Sequence, residues 1–262
     1  MLKFSAHIGF LFSELPFVER ITAAKSFGFD AVEHPAPFDT AASVVAHLLR
    51  ESNLTYVQTG FPAGDARRGE KGLAAFPQRR GEFRASVSPT LEYASEIGCK
   101  MVHAMAGVVV PDLSEAAMWD EYLENVAFSA DAARAYGIDI IIEPIGPGSV
   151  ANYLVHEPRA AVEAIVSLDR ENVRLLFDVY HAISMNVEPL EFMARHENLI
   201  GHVQIADYPG RHEPGSAIVD FAKIFDRLET IGYTGHVGCE YHPSGQTSES
   251  FAWLSKARDG GL

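Results

Sequence analysis

Four hydrogen-bond acceptors late in apolar, strand-like stretches are the residues of this sequence best suited to chemistry. Glu143 ends the run IIIE, Asp178 ends LLFD, Gln204 lies in HVQI and Glu240 ends VGCE. A carboxylate in such apolar surroundings is costly unless a cation compensates its charge. Three carboxylates and one amide oxygen, with no cysteine motif nearby, are the ligand type that hard divalent ions prefer. The four residues therefore predict a metal site, for Mg2+ in the first place and Mn2+ in the second.

Glu143 and Glu240 also indicate which reaction such a metal would assist. A divalent ion chelated by a hydroxyl and the neighbouring carbonyl acidifies the adjacent C–H and stabilises an enediolate. Two carboxylates on opposite sides of that carbon can remove a proton and return it. Return to the neighbouring carbon is an aldose–ketose isomerisation, whereas return to the same carbon is an epimerisation. We expect the substrate to be a small hydroxycarbonyl compound or 2-oxo acid.

Three further polar residues are candidates for binding the substrate. His181 comes three residues after Asp178, beyond the predicted end of its strand, where it could contact substrate oxygens. Arg211 opens the segment RHEPG after the strand of Gln204 and would place a cation near the metal for a substrate carboxylate. Lys71 belongs to PAGDARRGEKG, a glycine-rich, basic stretch that is typical of a lid. The alternative for the strand-end acids is an ion pair with an Arg or Lys inside the barrel. The alternative for His181 and Arg211 is a plain surface position.

The four acceptors are each separated by about one strand and one helix, and the whole chain repeats that unit. Short apolar runs rich in β-branched or aromatic residues alternate with longer segments of helical period, which predicts a parallel sheet covered by helices. Glycines mark helix ends before strands in FGFD, IGCK, YGID and IGYT. The predicted strands are Lys3–Gly9, Asp30–Pro35, Thr55–Pro62, Lys100–Gly107, Asp139–Ile145, Val173–His181, Gly201–Asp207 and His236–His242.

Eight strands in 262 residues, with no linker-like segment, favour a single (βα)8 TIM barrel over residues 1–262 rather than an open doubly wound sheet. The acceptors would then surround one mouth of the barrel, where strands end and loops begin. No GxGxxG or GxxxxGK[ST] follows a strand, which disfavours a dinucleotide or P-loop site. The predicted helices are Pro16–Phe27, Ala41–Glu51, Gly81–Ile97, Ser114–Tyr136, Pro158–Leu168, Pro189–Glu197 and Asp220–Ile231.

The charge balance limits the partners of the protein. With 21 Lys and Arg residues against 35 Asp and Glu residues, the net charge of -14 repels nucleic acid and anionic membranes. The sequence lacks a signal-peptide pattern and an apolar run of membrane-spanning length. We therefore expect a cytoplasmic protein with a small-molecule substrate and no nucleic-acid or membrane partner, while a homo-oligomer remains open. The two cysteines, Cys99 and Cys239, are expected to be buried apolar residues.

Several motifs together resemble the hydroxypyruvate isomerases, a family within the xylose-isomerase-like barrels that also include ketose 3-epimerases. The motifs are LKFSA, PAGD, IEPI, DVYH, HVQIAD, EPG and VGCEY, and they extend over nearly the whole chain. The resemblance implies interconversion of hydroxypyruvate and 2-hydroxy-3-oxopropanoate (tartronate semialdehyde), with Glu143 and Glu240 as the proton donor and acceptor. It also implies Mg2+ or a similar ion on those two residues, Asp178 and Gln204. Gln204 favours this branch, because the ketose 3-epimerases usually have His at that metal position.

Three loop segments depart from the pattern of the hydroxypyruvate isomerases. GFP stands at residues 60–62 where these isomerases commonly read NLP, and Arg67 replaces a common tryptophan. SAI follows the EPG motif in place of TGE, at residues 216–218. An isomerase of a related four-carbon 2-oxo acid, 2-oxo-tetronate, is therefore the alternative, as is a ketose 3-epimerase. An endonuclease-IV-like phosphodiesterase and an inactive, metabolite-binding barrel are two hypotheses from different functional classes.

Overall fold

The computed structural model describes residues 1–258, in which short strands alternate with helices. The strands are β1 (Lys3–His7), β2 (Ala31–Glu33), β3 (Thr55–Tyr56), β4 (Gln58–Gly60), β5 (Met101–His103), β6 (Asp139–Ile142), β7 (Val173–Asp178), β8 (Ile200–Ile205) and β9 (His236–Cys239). The helices are α1 (Phe17–Ser26), α2 (Ala42–Ser52), α3 (Arg80–Glu96), α4 (Glu115–Ala133), α5 (Pro158–Leu168), α6 (Val179–Ser184), α7 (Pro189–His196), α8 (Phe221–Thr230) and α9 (Ala252–Arg258).

The strand order confirms the predicted fold class. Neighbouring strands follow the order β3-β2-β1-β9-β8-β7-β6-β5-β4. β3 and β4 are the two halves of the predicted third strand, separated only by Val57; β3 pairs with β2, and β4 pairs with β5. β1 pairs in parallel with both β2 and β9, so the first and last strands of the chain are neighbours. Eight parallel strands in cyclic order with intervening helices are the arrangement of a (βα)8 TIM barrel.

The chain forms two compact units. The first comprises residues 1–34 and 47–57 together with the described chain from Phe177 onward, and it contains β1, β2, β3, β8 and β9. In its core, the ring of Phe4 packs edge-on against Phe225 and Trp253, with centroid distances of 5.5 and 5.3 Å. Buried aromatic pairs of this geometry contribute beyond their apolar area.

The second unit comprises residues 35–46 and 58–176, with β4, β5, β6 and most of β7. The isoleucines at 140–142 are completely buried in β6, and α4 packs near them with its own buried residues, Val126 and Ala130. A run of β-branched residues buried on both faces is typical of a parallel strand. The expectation of a single domain over residues 1–262 stays a prediction.

The predicted elements differ from the structure mainly at strand ends. The stretch Val173–His181 was expected to be all strand, but β7 ends at Asp178 and α6 begins at Val179. The reason is local: the Asp178 carboxylate accepts hydrogen bonds from the backbone N–H groups of Tyr180 and His181, at 2.7 and 3.4 Å, and so caps the helix. His181 therefore lies in the first turn of a helix. The sequence interpretation also missed α9. No helix within residues 1–258 has the length and apolar character needed to cross a membrane.

Candidate functional site

In the first unit, the ends of three strands bring two predicted acids together with Arg211. The guanidinium Nη2 of Arg211 donates to Glu240 Oε2 at 2.7 Å and to Asp178 Oδ2 at 3.4 Å. On the other side of Glu240, His7 Nε2 lies 3.4 Å from Oε1. The two acids thus share one cation, which reduces the repulsion between their charges. Three of the residues singled out in the sequence, Asp178, Arg211 and Glu240, are in direct contact.

Aromatic rings and the backbone hold Arg211 in place. Its guanidinium carbon lies 4.9 Å from the ring centroid of Phe10 and 5.1 Å from that of Tyr180. A cation over an aromatic face is attracted by the ring electrons. The backbone of Arg211 has a φ of 55°, and its N–H donates to the carbonyl oxygen of Asp207 at 2.8 Å. The side chain is therefore presented to the acids from a turn with a defined conformation.

The Asp207 carboxylate organises the segment after β8 from which Arg211 projects. Its two oxygens accept the backbone N–H groups of Gly215, Ala217 and Val219, at 3.1, 2.7 and 3.0 Å. A carboxylate with several backbone donors acts as a local scaffold, because each hydrogen bond is charge-assisted. The loop that contains the motif RHEPG is thus folded around one buried acid.

Glu240 has an unusual affinity for its proton. Burial raises the pKa of Glu240 to about 8, and the negative charges of Asp178 and Glu33 act in the same direction, whereas Arg211 opposes them. An acid whose pKa lies near neutrality can both give and take a proton at working pH. A divalent cation beside it would lower the same pKa by favouring the carboxylate.

Two histidines of the first unit are neutral at physiological pH. Burial lowers the pKa of His7 to about 3 and that of His181 to about 4. His181 Nε2 lies 3.7 Å from Asp178 Oδ2. A neutral imidazole can accept a hydrogen bond or ligate a metal ion, which a charged one cannot.

Gln204 is held by an acid that the sequence interpretation did not select. Its Nε2 donates to Glu33 Oε1 at 2.7 Å, and both side chains are buried. The other end of the amide, Gln204 Oε1, is buried and has no hydrogen-bond partner among the described residues. A buried acceptor without a partner is unfavourable, and a bound cation would satisfy it. Gln204 is thus suited to its predicted role as a metal ligand.

Glu33 is completely buried at the end of β2. Its Oε2 accepts a hydrogen bond from Ser5 Oγ at 2.6 Å and lies 3.0 Å from His202 Nε2. Burial by itself would raise the pKa of Glu33, but His202, His7 and Ser5 lower it to about 2. The sequence contained the signal for this residue, since Glu33 follows Ala31 and Val32 as an acceptor late in an apolar strand.

In the second unit, Glu143 follows β6 and is buried. His103 Nδ1 lies 3.6 Å from Glu143 Oε2, and burial lowers the pKa of His103 to about 4, so this imidazole is neutral. Burial raises the pKa values of two tyrosines, Tyr122 and Tyr153. The negative charge of Glu143 raises both pKa values further. These three neighbours of Glu143 are therefore all neutral groups.

The predicted lid, residues 62–72, is a loop of the second unit that is held together by its own hydrogen bonds and by an ion pair. Glu70 Oε2 accepts the backbone N–H of Asp65 at 2.7 Å and lies 2.8 Å from an Arg79 nitrogen. The N–H of Gly72 donates to the carbonyl oxygen of Ala63 at 2.9 Å. Lys71, between these contacts, is exposed. Its role in substrate binding stays a prediction.

Comparison with known proteins gives consistent matches over almost the whole chain. Residues 21–257 match the xylose isomerase-like TIM barrel family. The 2-oxo-tetronate isomerase of Haemophilus influenzae is 36% identical over 98% of this chain and 99% of that protein. The hydroxypyruvate isomerase of Escherichia coli is 32% identical over 98% of this chain and 100% of that protein.

Two solved structures illustrate the structural similarity. A crystal structure described as AP endonuclease, family 2, from Brucella melitensis superposes with a TM-score of 0.94 at 36% identity, covering 97% of this chain and 98% of that one. D-psicose 3-epimerase from Clostridium cellulolyticum, with D-tagatose, has a TM-score of 0.77 at 18% identity and covers 99% and 96%. At that identity the similarity concerns the fold alone.

Proposed function

Because this chain belongs to the xylose isomerase-like TIM barrel family and is an isomerase, we propose that it interconverts hydroxypyruvate and 2-hydroxy-3-oxopropanoate (tartronate semialdehyde). The observation that carries the proposal is the contact between Arg211 and Glu240. It brings a cation suited to a substrate carboxylate beside an acid with a pKa near neutrality. Full-length similarity to proteins named hydroxypyruvate isomerase supports this substrate.

The reaction moves one carbon-bound proton between neighbouring carbons. One glutamate removes a proton from the hydroxymethyl carbon of hydroxypyruvate, and the carbonyl carbon receives a proton from the other glutamate. The hydroxyl proton passes to the former carbonyl oxygen, so that atoms and electrons balance without an oxidant. In the proposed mechanism Glu143 and Glu240 are these two groups, and they exchange roles in the reverse direction.

The proposed cofactor is Mg2+, with Mn2+ as the alternative, and its proposed ligands are Glu143, Asp178, Gln204 and Glu240. The unpartnered Oε1 of Gln204 supports this set, and His181, whose Nε2 lies 3.7 Å from Asp178 Oδ2, is a further group of the first unit that could ligate an ion. When bound, such an ion polarises the substrate carbonyl and stabilises negative charge on the enediolate oxygens. His181 is thus a candidate metal ligand as well as a candidate substrate-binding residue.

Arg211 has a second task in this proposal. Its guanidinium pairs with Asp178 and Glu240, the same carboxylates that are proposed to hold the metal. Asp178 and Glu240 would hold the metal with carboxylates that otherwise pair with Arg211, which would leave the guanidinium to bind the substrate carboxylate in a bidentate manner. His181 and Lys71 are the other proposed contacts to the substrate.

A second candidate substrate is 2-oxo-tetronate. Relatives named 2-oxo-tetronate isomerase, from Haemophilus influenzae, Cupriavidus necator and Pectobacterium atrosepticum, are 34% to 36% identical over at least 97% of this chain. The two substrates share the 2-oxo acid group that Arg211 would bind and differ in chain length. Loop positions that depart from the pattern of the hydroxypyruvate isomerases, Gly60, Arg67, Ala217 and Ile218, are the proposed determinants of this choice.

Solvent exchange tests the proposed reaction directly. Hydroxypyruvate is incubated with the protein and Mg2+ in D2O, and its C–H protons are followed by NMR. We expect loss of the C–H signal with the unmodified protein, loss of this exchange in Glu240→Gln, and none without divalent metal. Glu171→Gln, an exposed glutamate in the second unit, is the matched control and should exchange normally. Exchange that persists unchanged in Glu240→Gln would rule out the two-glutamate mechanism.

The same assay with 2-oxo-tetronate compares the two candidate substrates by kcat/KM.

A further inference from the structure

In the first unit, the neighbouring strands β1, β9 and β8 have residues in register at one level, and the middle residue of this row is a glycine. Gly238 of β9 is in register with Ser5 of β1 on one side and with Gln204 of β8 on the other. Residues at the same level of adjacent parallel strands point to the same face of the sheet. Glycine weakens a strand interior, so its presence there commonly marks a place where another group must approach closely.

The carboxylate of Glu33 fills the space above Gly238. A Cβ atom on Gly238 would lie 2.6 Å from Glu33 Oε1 and 2.8 Å from Gln204 Cγ, which is closer than real Cβ contacts allow. Glu33 comes from β2 and reaches across this gap to both neighbours of the glycine. One oxygen accepts from Ser5 Oγ at 2.6 Å, and the other accepts from Gln204 Nε2 at 2.7 Å.

This bridge permits only one orientation of the Gln204 amide. A carboxylate can accept hydrogen bonds but cannot donate them, so it binds the Nε2 end of the amide and repels the oxygen end. Rotation of the amide by half a turn would set oxygen against oxygen in a site with almost no exposed surface, since Glu33 is 0% and Gln204 1% exposed. The acceptor of the amide, Oε1, is thereby kept away from Glu33 and without a partner in the described residues.

We propose that Glu33 is a positioning residue that turns the oxygen of Gln204 toward the metal and its nitrogen away. The inference rests on the proposed function, in which Gln204 is a metal ligand. Without Glu33 the amide could present its N–H2 group, which has no lone pair for a cation. An enforced oxygen ligand favours hard ions such as Mg2+ and Mn2+. Gly238 provides the space, while Ser5 Oγ and His202 Nε2 both lie against the second oxygen of Glu33, at 2.6 and 3.0 Å, so that this end of the carboxylate does not depend on Ser5 alone.

Metal affinity, measured without substrate, tests this role. Free Mn2+ is titrated with the metal-free protein and followed by its electron paramagnetic resonance signal. Removal of the acceptor in Glu33→Leu should weaken Mn2+ binding roughly 10- to 100-fold, the usual effect of losing a group that orients a ligand. Glu33→Gln retains an oxygen for the Gln204 amide when its own N–H2 group faces Ser5 Oγ, a hydroxyl that can also accept, and it should then stay within about threefold of the unmodified protein. Thermal unfolding of the metal-free variants verifies that each is folded.

Ser5→Ala is the matched control, because it removes the other contact of Glu33 and leaves the bond to Gln204. It should change the Mn2+ affinity by no more than about threefold. If Glu33→Leu cannot be obtained folded, Gly238→Ala tests the same pair by forcing Glu33 and Gln204 apart, with an expected loss of roughly tenfold.

Three results would overturn the proposal. The first is an unchanged Mn2+ affinity in folded Glu33→Leu or Gly238→Ala. The second is a loss of Mn2+ affinity in Glu33→Gln as large as that in Glu33→Leu, and the third is a loss of that size in the Ser5→Ala control. The second result would mean that the charge of Glu33 acts at a distance, and the third that the whole cluster only supports packing. If the unmodified protein binds no Mn2+, the proposed metal-dependent function fails first, and that outcome is distinct from the others.

Discussion

The two glutamates with proposed roles in proton transfer lie in different electrostatic surroundings. Glu240, in the first unit, contacts the Arg211 cation and is influenced by the charges of Asp178 and Glu33. Glu143, in the second unit, lies beside His103, whose pKa is lowered to about 4 and which is therefore neutral. Charged neighbours change a pKa whenever one of them is bound or displaced, whereas neutral neighbours mainly provide dipoles. The proton affinity of Glu240 therefore depends on whether Arg211 stays paired with it, in addition to the direct effect that a bound ion would have on either glutamate.

The largest expected effect comes from removing each acid in turn. Glu143→Gln and Glu240→Gln should each lower kcat for the isomerisation by roughly 10^2- to 10^4-fold, because a positioned acid or base contributes that much. Steady-state kinetics at saturating Mg2+ measures the loss, and Glu171→Gln serves as the control. A decrease below about tenfold in either variant would contradict a direct role of that glutamate.

Removal of the Arg211 side chain should weaken substrate binding without weakening metal binding. In Arg211→Ala we expect kcat/KM for hydroxypyruvate to fall roughly 10- to 100-fold, the cost of losing a charge-assisted hydrogen bond. Mn2+ affinity should stay equal or increase, because Arg211 no longer competes for Asp178 and Glu240. Arg195→Ala, on the exposed face of α7, is the control. Unchanged turnover would favour a neutral sugar and hence a ketose 3-epimerase.

A smaller effect is expected in the pH dependence of metal binding. Since the pKa of Glu240 is raised to about 8 before an ion binds, the ion must displace a proton below that pH. Mn2+ affinity should therefore increase as the pH rises from about 6 toward 8, with a slope approaching roughly tenfold per pH unit, and level off above it. The titration of free Mn2+ at several pH values measures this slope.

The different surroundings of Glu240 and Glu143 predict a different pH dependence of Mn2+ affinity in variants of the two units. Glu240→Gln should bind Mn2+ more weakly and lose the slope between about pH 6 and 8. Tyr153→Phe, which alters a neutral neighbour in the unit of Glu143, should retain it. The same slope in Glu240→Gln would mean that another group releases the proton.

A comparison of the predicted with the observed strands shows which structural features depend only on neighbouring residues. The eight predicted strands all exist, because alternation of apolar runs and helical segments is a property of neighbouring residues. The predicted end of the sixth strand was wrong, since the capping role of Asp178 depends on how the chain turns after it. Asp178, Glu240 and Arg211 were singled out from the sequence as residues around one proposed metal site, but the direct pairing of Arg211 with both acids was not predicted.

Short-range patterns were sufficient to predict the strand-and-helix repeat and the acceptors that end its strands, because the burial of apolar runs and the cost of lone carboxylates are properties of short segments. The tertiary structure was needed to see that Glu33 orients Gln204, a pair separated by 171 positions, across a gap left by Gly238. It was also needed to see that Asp178 and Glu240 share Arg211. The physical reason is the pairing of the first strand with the last, which brings distant residues into one buried row where each acceptor must find a donor or a cation.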